Sequence, residues 1–277
     1  MKPAGPSIEE LQKLVTSVIE ISAQASASIL EIYNTDFSVQ NKKDNSPLTE
    51  ADLASHRTIC KGLQEIAPDI PILSEESIDL PYQERKQWHS YWLVDPLDGT
   101  REFVKRNDEF TVNIALINDG KPILGVVHVP VTGVCYFASK DSGAFKTELG
   151  KQVVQIHSKQ SAENKLVIAG SRSHGNTKQK KFFSILAENT EIIAMGSSLK
   201  LCLVAEGKAD LYPRFGPTSE WDTAAAQCVV EEAGGLVTDS EINPIVYNTK
   251  DSLLNPDFMV IADSNFDWRP YLKQIYT

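Results

Sequence analysis

Asp95 and Asp98 are separated only by Pro96-Leu97 and are followed at once by Gly99-Thr100. Proline and glycine bend a backbone tightly, so carboxylates at this spacing can be aimed into one small volume. Held that close they repel, and one stays protonated near neutral pH unless a cation lies between them. An all-oxygen ligand set selects a hard divalent ion such as Mg²⁺. Gly99 and Thr100 add backbone N–H groups and a hydroxyl, which together suit an anion beside that cation. A second cation needs further acids at strand ends or helix starts. Glu75 follows the short apolar run Ile72-Leu73, Asp222 opens the stretch Trp221 to Ala226, and Asp52 lies three residues after Thr49. Each also has a plain structural explanation: Glu75-Glu76 as a solvated acidic pair, Asp222 as a helix N-terminal acid, Asp52 as the capping-box partner of Thr49.

These groups need elements to position them. Tyr91 to Val94 is large, apolar and β-favouring, which predicts a buried strand ended by Pro96. Ser7-Ile8-Glu9-Glu10 is a capping-box pattern opening a helix over 7–34, with Leu11, Leu14, Val15, Val18, Ser22, Ala25, Ile29 and Ile32 on one stripe. A second helix is expected from Thr49 to just before Pro68, then a short strand at 71–74. Phe110 to Ile117, the turn Asn118-Asp119-Gly120-Lys121 and Ile123 to Val129 predict a hairpin, extended as a meander by 134–139 and 143–147. Beyond about Val154 strands and helices alternate: strands at 166–170, 192–195, 209–212 and 259–262, helices at 178–188, 198–206, 222–233 and 268–275. Two subdomains sharing one interface are therefore expected. Residues 1–155 form an α+β part carrying most of the acids, and 156–277 an α/β part carrying Asp222 and the substrate loops.

Composition narrows the function. A chain of 277 residues with 42% hydrophobic and 23% charged content builds its core without staples. Its net charge of −10 argues against a nucleic-acid partner, which would need a broad basic face. The cysteines at 60, 135, 202 and 228 contain no C-x-x-C pair and read as reduced, mostly buried hydrophobes of a cytoplasmic protein. The N-terminus lacks the basic and apolar regions of a signal peptide, and no 18-residue apolar run predicts a membrane span. No obligate protein partner is indicated. The expected location is the cytoplasm, with the cytoplasmic face of the inner membrane left open.

In combination the motifs are specific. Asp95-Pro96-Leu97-Asp98-Gly99-Thr100, with Trp221-Asp222-Thr223-Ala224-Ala225-Ala226 running on to Gly234-Gly235, resembles the paired signatures of the inositol monophosphatase superfamily, the lithium-sensitive, magnesium-dependent phosphatases. Asn45 to Asp52, Leu73 to Glu76, Arg101 to Asn107 and Leu211 to Thr218 look like the bisphosphate-nucleotidase branch of that superfamily. The resemblance implies a layered α-β-α-β-α sandwich with two or three Mg²⁺ per site and inhibition by Li⁺. It implies that Glu75, Asp95 and the Leu97 carbonyl hold one ion, and that Asp95, Asp98 and Asp222 hold the other. Glu75 is also implied as catalytic, through a weaker third ion. Asp52 would accept from the Thr100 hydroxyl and so orient or deprotonate the attacking water, with Gly99 and Thr100 receiving the scissile phosphate.

Substrate choice falls to the second half. Ser171, His174, Ser197, Ser198, Lys200 and Arg214 lie in loops after strands, where ligand groups of α/β folds gather. Lys200 and Arg214 can pair with a second phosphate. By resemblance that group is the 5′-phosphate of adenosine 3′,5′-bisphosphate, with Glu75, Leu97, Asp98 and Asp222 also against substrate. The expected reaction releases the 3′-phosphate to give AMP, in recycling a by-product of sulfur assimilation. Inositol monophosphatase and fructose-1,6-bisphosphatase activities are the alternatives on the same fold. A non-catalytic metal and nucleotide sensor is disfavoured, because only hydrolysis calls for both Asp52 and Thr100.

Overall fold

The computed structural model describes residues 6–41, 47–77, 80–160, 165–171, 176–186 and 190–276. Ser7 caps α1 (Ile8–Tyr33) in a reciprocal box, its hydroxyl accepting from Glu10 N while Glu10 accepts from Ser7 N at 2.8 Å. Most of the expected stripe is buried, but Leu14 and Ile32 are half-buried, and Ile21, Ser26 and Tyr33 join the buried face. A small hairpin of β1 (Val39–Asn41) and β2 (Pro47–Thr49) then delivers the chain to α2 (Glu50–Ile66), capped by Thr49.

The first sheet follows: β3 (Ile72–Ser74), then, past α3 (Tyr82–Arg85), β4 (Ser90–Asp98), then, past α4 (Thr100–Val104), β5 (Thr111–Asn118), β6 (Lys121–Val129), β7 (Val134–Ser139), β8 (Ala144–Thr147) and β9 (Val154–Ile156). These seven strands lie side by side in chain order, β3 parallel to β4 and every later pair antiparallel. The second sheet uses β10 (Leu166–Gly170), β11 (Thr190–Ala194), β12 (Leu211–Arg214), β13 (Leu236–Asp239) and β14 (Phe258–Ile261) in the order β11-β10-β12-β14-β13. Its helices are α5 (Thr177–Ile185), α6 (Leu199–Ala205), α7 (Ala224–Glu232) and α8 (Arg269–Tyr276).

Strand alternation builds the layers. Successive side chains of β4 point to opposite faces, so Trp92 and Val94 bury against α1 and α2, whereas Tyr91 and Leu93 join the core formed with α6 and α7. The second sheet buries Val260 and Tyr212 in that same middle layer and turns Leu211, Met259 and Ile261 toward Phe182 of α5 and Leu272 of α8. The result is the expected α-β-α-β-α sandwich. The middle layer is tight because of Gly125 on β6, where a Cβ would fall 2.1 Å from the carbonyl oxygen of Ala225 on α7. Only glycine lets the helix lie that close to the sheet.

Two features depart from expectation. Pro96 does not end its strand: β4 continues to Asp98, and a register shift between the pairs Asp95–Asn113 and Asp98–Thr111 lifts Pro96 and Leu97 out of the ladder. A bulge tolerates proline because no ladder donor is required there. The helix expected from Asp222 begins at Ala224, and Asp222 closes a separate 3₁₀ turn, Glu220–Asp222. The short strands β9 and β13 had no clear signature. All four cysteines are unpaired, as expected. Among the described residues, no helix is long and apolar enough to cross a membrane.

Candidate active site

The bulge at the end of β4 carries two of the candidate acids, Asp95 and Asp98. Asp95 still lies in the ladder and is buried, and its carboxylate accepts from the Leu97 N–H at 3.0 Å across the bend. Past the bulge Asp98 emerges on the same side, and Asp222 arrives from the turn ahead of α7. One carboxylate oxygen from each of Asp95, Asp98 and Asp222 lies within 4.8 Å of the others. All three acids are pushed above the ordinary carboxylate range, in the first place by burial, and Glu75 adds its charge to each. Glu75 sits partly buried in the 3₁₀ turn directly after β3, where parallel pairing with β4 aligns Ser74 with Val94.

This donor set fits a divalent cation. Every candidate ligand is a carboxylate or carbonyl oxygen, as hard ions require. A cation among the acids would reverse the repulsion that burial magnifies.

Asp98 is anchored by the second half of the chain. Its Oδ2 accepts from the Ser198 N–H at 2.5 Å and from Asn113 Nδ2 at 3.5 Å. The Ser198 hydroxyl is engaged with Asn113 Oδ1 and Thr111 Oγ1 on β5, both at 2.9 Å. Asn113 was missed in the sequence, although an asparagine between Val112 and Ile114 inside a buried strand is itself a signal.

Asp52 makes a separate contact through each of its carboxylate oxygens. Its Oδ2 accepts from the backbone and hydroxyl of Thr49, at 2.8 and 2.7 Å, closing the capping box of α2. Its Oδ1 accepts from the Thr100 hydroxyl at 3.2 Å. The cap therefore locks the rotamer that faces Thr100. Thr100 begins α4 because Gly99 adopts a left-handed φ of 93°, where a Cβ would also crowd the Glu109 carbonyl at 3.1 Å. The Thr100 hydroxyl also lies 3.4 Å from the Leu97 carbonyl oxygen.

A cavity of about 170 Å³ opens beside the acids, lined by Asp98, Gly99, Ser171, Ser197, Ser198, Lys200, Arg214 and Asp222. Glu102, Tyr212 and Thr218 line it too and were not anticipated. Lys200 is almost fully buried, its ammonium donating to the Ser197 carbonyl and lying 5.4 Å from the Tyr212 ring centre. Burial, countered by Asp98 and reinforced by Arg214, brings its pKa down to about 8. Arg214 is oriented by Nε donating to Thr218 Oγ1 at 2.8 Å and Nη2 donating to the Pro217 carbonyl at 3.0 Å. His174, like Asn45 and Ser46 of the motif before Asp52, lies outside the described residues.

The chain is similar over most of its length to known proteins. Over 251 residues the chain is 48% identical to the 3′(2′),5′-bisphosphate nucleotidase CysQ of Shigella flexneri, covering 89% of this chain and 99% of that protein. It is 39% identical over 261 residues to the CysQ nucleotidase of Haemophilus influenzae, covering 93% of this chain and 96% of that one. The crystal structure of CysQ from Bacteroides thetaiotaomicron superposes with a TM-score of 0.80 at 39% identity, covering 92% of this chain and 98% of that one. Residues 10–266, which hold every acid of the cluster, match the inositol monophosphatase family model, and the chain belongs to that family.

Proposed function

We propose that this chain is a magnesium-dependent 3′(2′),5′-bisphosphate nucleotidase, hydrolysing the 3′-phosphate of adenosine 3′,5′-bisphosphate to AMP and inorganic phosphate. One observation carries the reading: the acidic triad and the Thr100–Asp52 pair adjoin a cavity that is also lined by two cationic side chains, Lys200 and Arg214. A substrate with two phosphates separated by a ribose needs one site for the reacting group and a second site of positive charge. A monophosphate needs only the first. The curated nucleotidases that match nearly the whole chain support the same choice.

Mg²⁺ dependence is general in the family. Here Glu75, Asp95 and the Leu97 carbonyl would hold one ion, and Asp95, Asp98 and Asp222 the other. When bound, the cations supply Lewis-acid neutralisation of the phosphoryl charge. The chain's own groups do the rest. The first-turn N–H groups of a helix have no intrahelical acceptor, so those around Gly99 and Thr100 receive phosphoryl oxygens. Thr100 Oγ1 takes a proton from the attacking water and passes its own to Asp52 Oδ1. The bonds of Thr49 to the other oxygen hold Asp52 with Oδ1 toward Thr100. Lys200 and Arg214 hold the 5′-phosphate, Arg214 through a planar guanidinium that can bind two oxygens at once. Ser171, Ser197 and His174 complete the substrate contacts. Residues 1–155 and 156–277 act as two subdomains, with the substrate held between Glu75, Asp95 and Asp98 of the first and Asp222, Lys200 and Arg214 of the second.

The test compares kcat/KM with saturating Mg²⁺ for adenosine 3′,5′-bisphosphate, inositol 1-phosphate and fructose 1,6-bisphosphate. The nucleotide should be preferred at least about 100-fold, roughly 2.7 kcal/mol of differential transition-state binding, and Li⁺ should inhibit. Turnover of inositol 1-phosphate as fast as the nucleotide overturns the substrate assignment.

A further inference from the structure

Among the acids proposed as ligands, Asp222 comes from far down the chain and rides on a single 3₁₀ turn. A lone turn is a weak support for a ligand, and the surrounding structure compensates. The segment 247–255 straps this turn from outside. Leu253 O accepts from Glu220 N and Thr218 O from Asn255 N, both at 2.8 Å. Asn255 Nδ2 donates to Ser219 O and to Thr223 Oγ1, both at 2.9 Å. Inside the turn, Ser219 N donates to Asp222 Oδ2 at 2.9 Å, so the orientation of that carboxylate depends on where the turn's backbone lies.

The strap is itself fixed to the first half of the molecule by a buried polar relay. Arg85, at the end of α3, is 1% exposed, and Glu220 is 2% exposed. Asn248 stands between them. Its Oδ1 accepts from Arg85 Nη1 and its Nδ2 donates to the Arg85 carbonyl, both at 2.6 Å. Its N–H donates to the two Glu220 carboxylate oxygens at 3.2 and 3.0 Å. Arg85 Nη2 donates to the Asp251 carbonyl, tying a second point of the strap. Burying a guanidinium and a carboxylate costs several kcal/mol of desolvation, and an apolar pair of the same volume would serve packing at least as well. A fold that retains them gains geometry instead, because bonded charges fix distances that apolar contacts leave soft.

We infer that Arg85, Asn248 and Glu220 are positioning residues for Asp222: the relay runs from α3 through the strap to the turn, and it sets the affinity of the acidic cluster for its divalent cation. The inference rests on the metal-dependent reading above. Supporting groups behind metal ligands are typically worth 10–100-fold in affinity, which sets the expected size.

Mn²⁺ binding to the metal-free full-length protein, followed by the EPR signal of the free ion, tests this without turnover. Asn248 has a φ of 56°, so Asn248→Gly removes the clamp without backbone strain and keeps the N–H to Glu220. Near-UV circular dichroism and Tm report folding, and Arg85→Lys, which keeps the charge but loses the fork, gives a second variant. The folded variants should bind Mn²⁺ about tenfold or more weakly. In an Asp222→Asn background, Asn248→Gly should add no further loss, because the ligand it positions is already impaired. A lower Tm with Mn²⁺ affinity within twofold of wild type overturns the inference and leaves the metal reading standing. An undiminished loss in the Asp222→Asn background overturns it too. Failure of the wild-type protein to bind Mn²⁺ overturns the metal reading and this inference together.

Discussion

Replacing Asp52 with asparagine separates proton acceptance from the capping duty of the side chain. Both donors of Thr49 point at Oδ2, so the amide oxygen of the asparagine must take that place to keep the cap. Its NH₂ then occupies the place of Oδ1, opposite the Thr100 hydroxyl. Thr100 becomes the acceptor, and its proton turns to the Leu97 carbonyl, 3.4 Å away in the native arrangement. The route for a proton out of the attacking water is closed while the fold keeps its helix start. Positioned proton transfer contributes about 10²–10⁴ in rate, equivalent to roughly 3–5 kcal/mol of barrier. We expect Asp52→Asn to lower kcat for adenosine 3′,5′-bisphosphate by that factor at saturating Mg²⁺. KM should change little, and the loss of stability should stay below about 1 kcal/mol, the ordinary size of a helix cap effect. Thr100→Val should fall by a similar factor, and the double variant no further than either single one, because the two groups act as one unit. A kcat within fivefold of wild type in Asp52→Asn refutes the proton route, and so does full additivity in the double variant.

Two further outcomes follow from the packing. Gly125→Ala should destabilise the protein by about 1–3 kcal/mol, read from the urea midpoint, and should reduce activity as well. The new Cβ meets a backbone oxygen at 2.1 Å, so α7 and the turn before it, with Asp222, must move. A loss below 0.5 kcal/mol refutes the close approach. His128 is buried on β6, and its Nδ1 lies 3.0 Å from Ser22 Oγ, which already donates to the Ile19 carbonyl, so the ring donates here. Burial holds its pKa down to about 4, against an ordinary value of 6.5. The unfolded chain therefore binds a proton that the folded one refuses, and stability is lost as pH falls from about 6.5 toward 4, by up to about 3 kcal/mol. His128→Gln should flatten that part of the profile, measured by urea unfolding, and equal slopes for variant and wild type refute the assignment.

Local patterns could be read in advance, whereas relations across the chain could not. The caps at Ser7 and Thr49 and the meander follow from short-range periodicity and turn chemistry, and the structure places them within a residue or two, whereas the α-β-α-β-α order was implied only by the resemblance. Pro96 shows where a local rule yields: proline argues against a continuing strand only while its position needs a ladder donor, and the bulge removes that need. The bulge in turn brings Asp95 and Asp98 to one side, so the misread residue is the one that makes the site. Asp52 shows a different limit. From sequence its capping and catalytic roles stood as alternatives, because a pattern assigns one function to one residue. A carboxylate has two oxygens, and here one closes the helix cap while the other faces Thr100. Arg85 and Asn248 had no signature at all. They are 163 positions apart, their side chains meet only once both sheets have formed, and nothing in the local sequence of either distinguishes a buried clamp from a solvated loop residue. What remained hidden is the network that joins the two halves around the acids, and it had to be hidden, since its partners become neighbours only through folding.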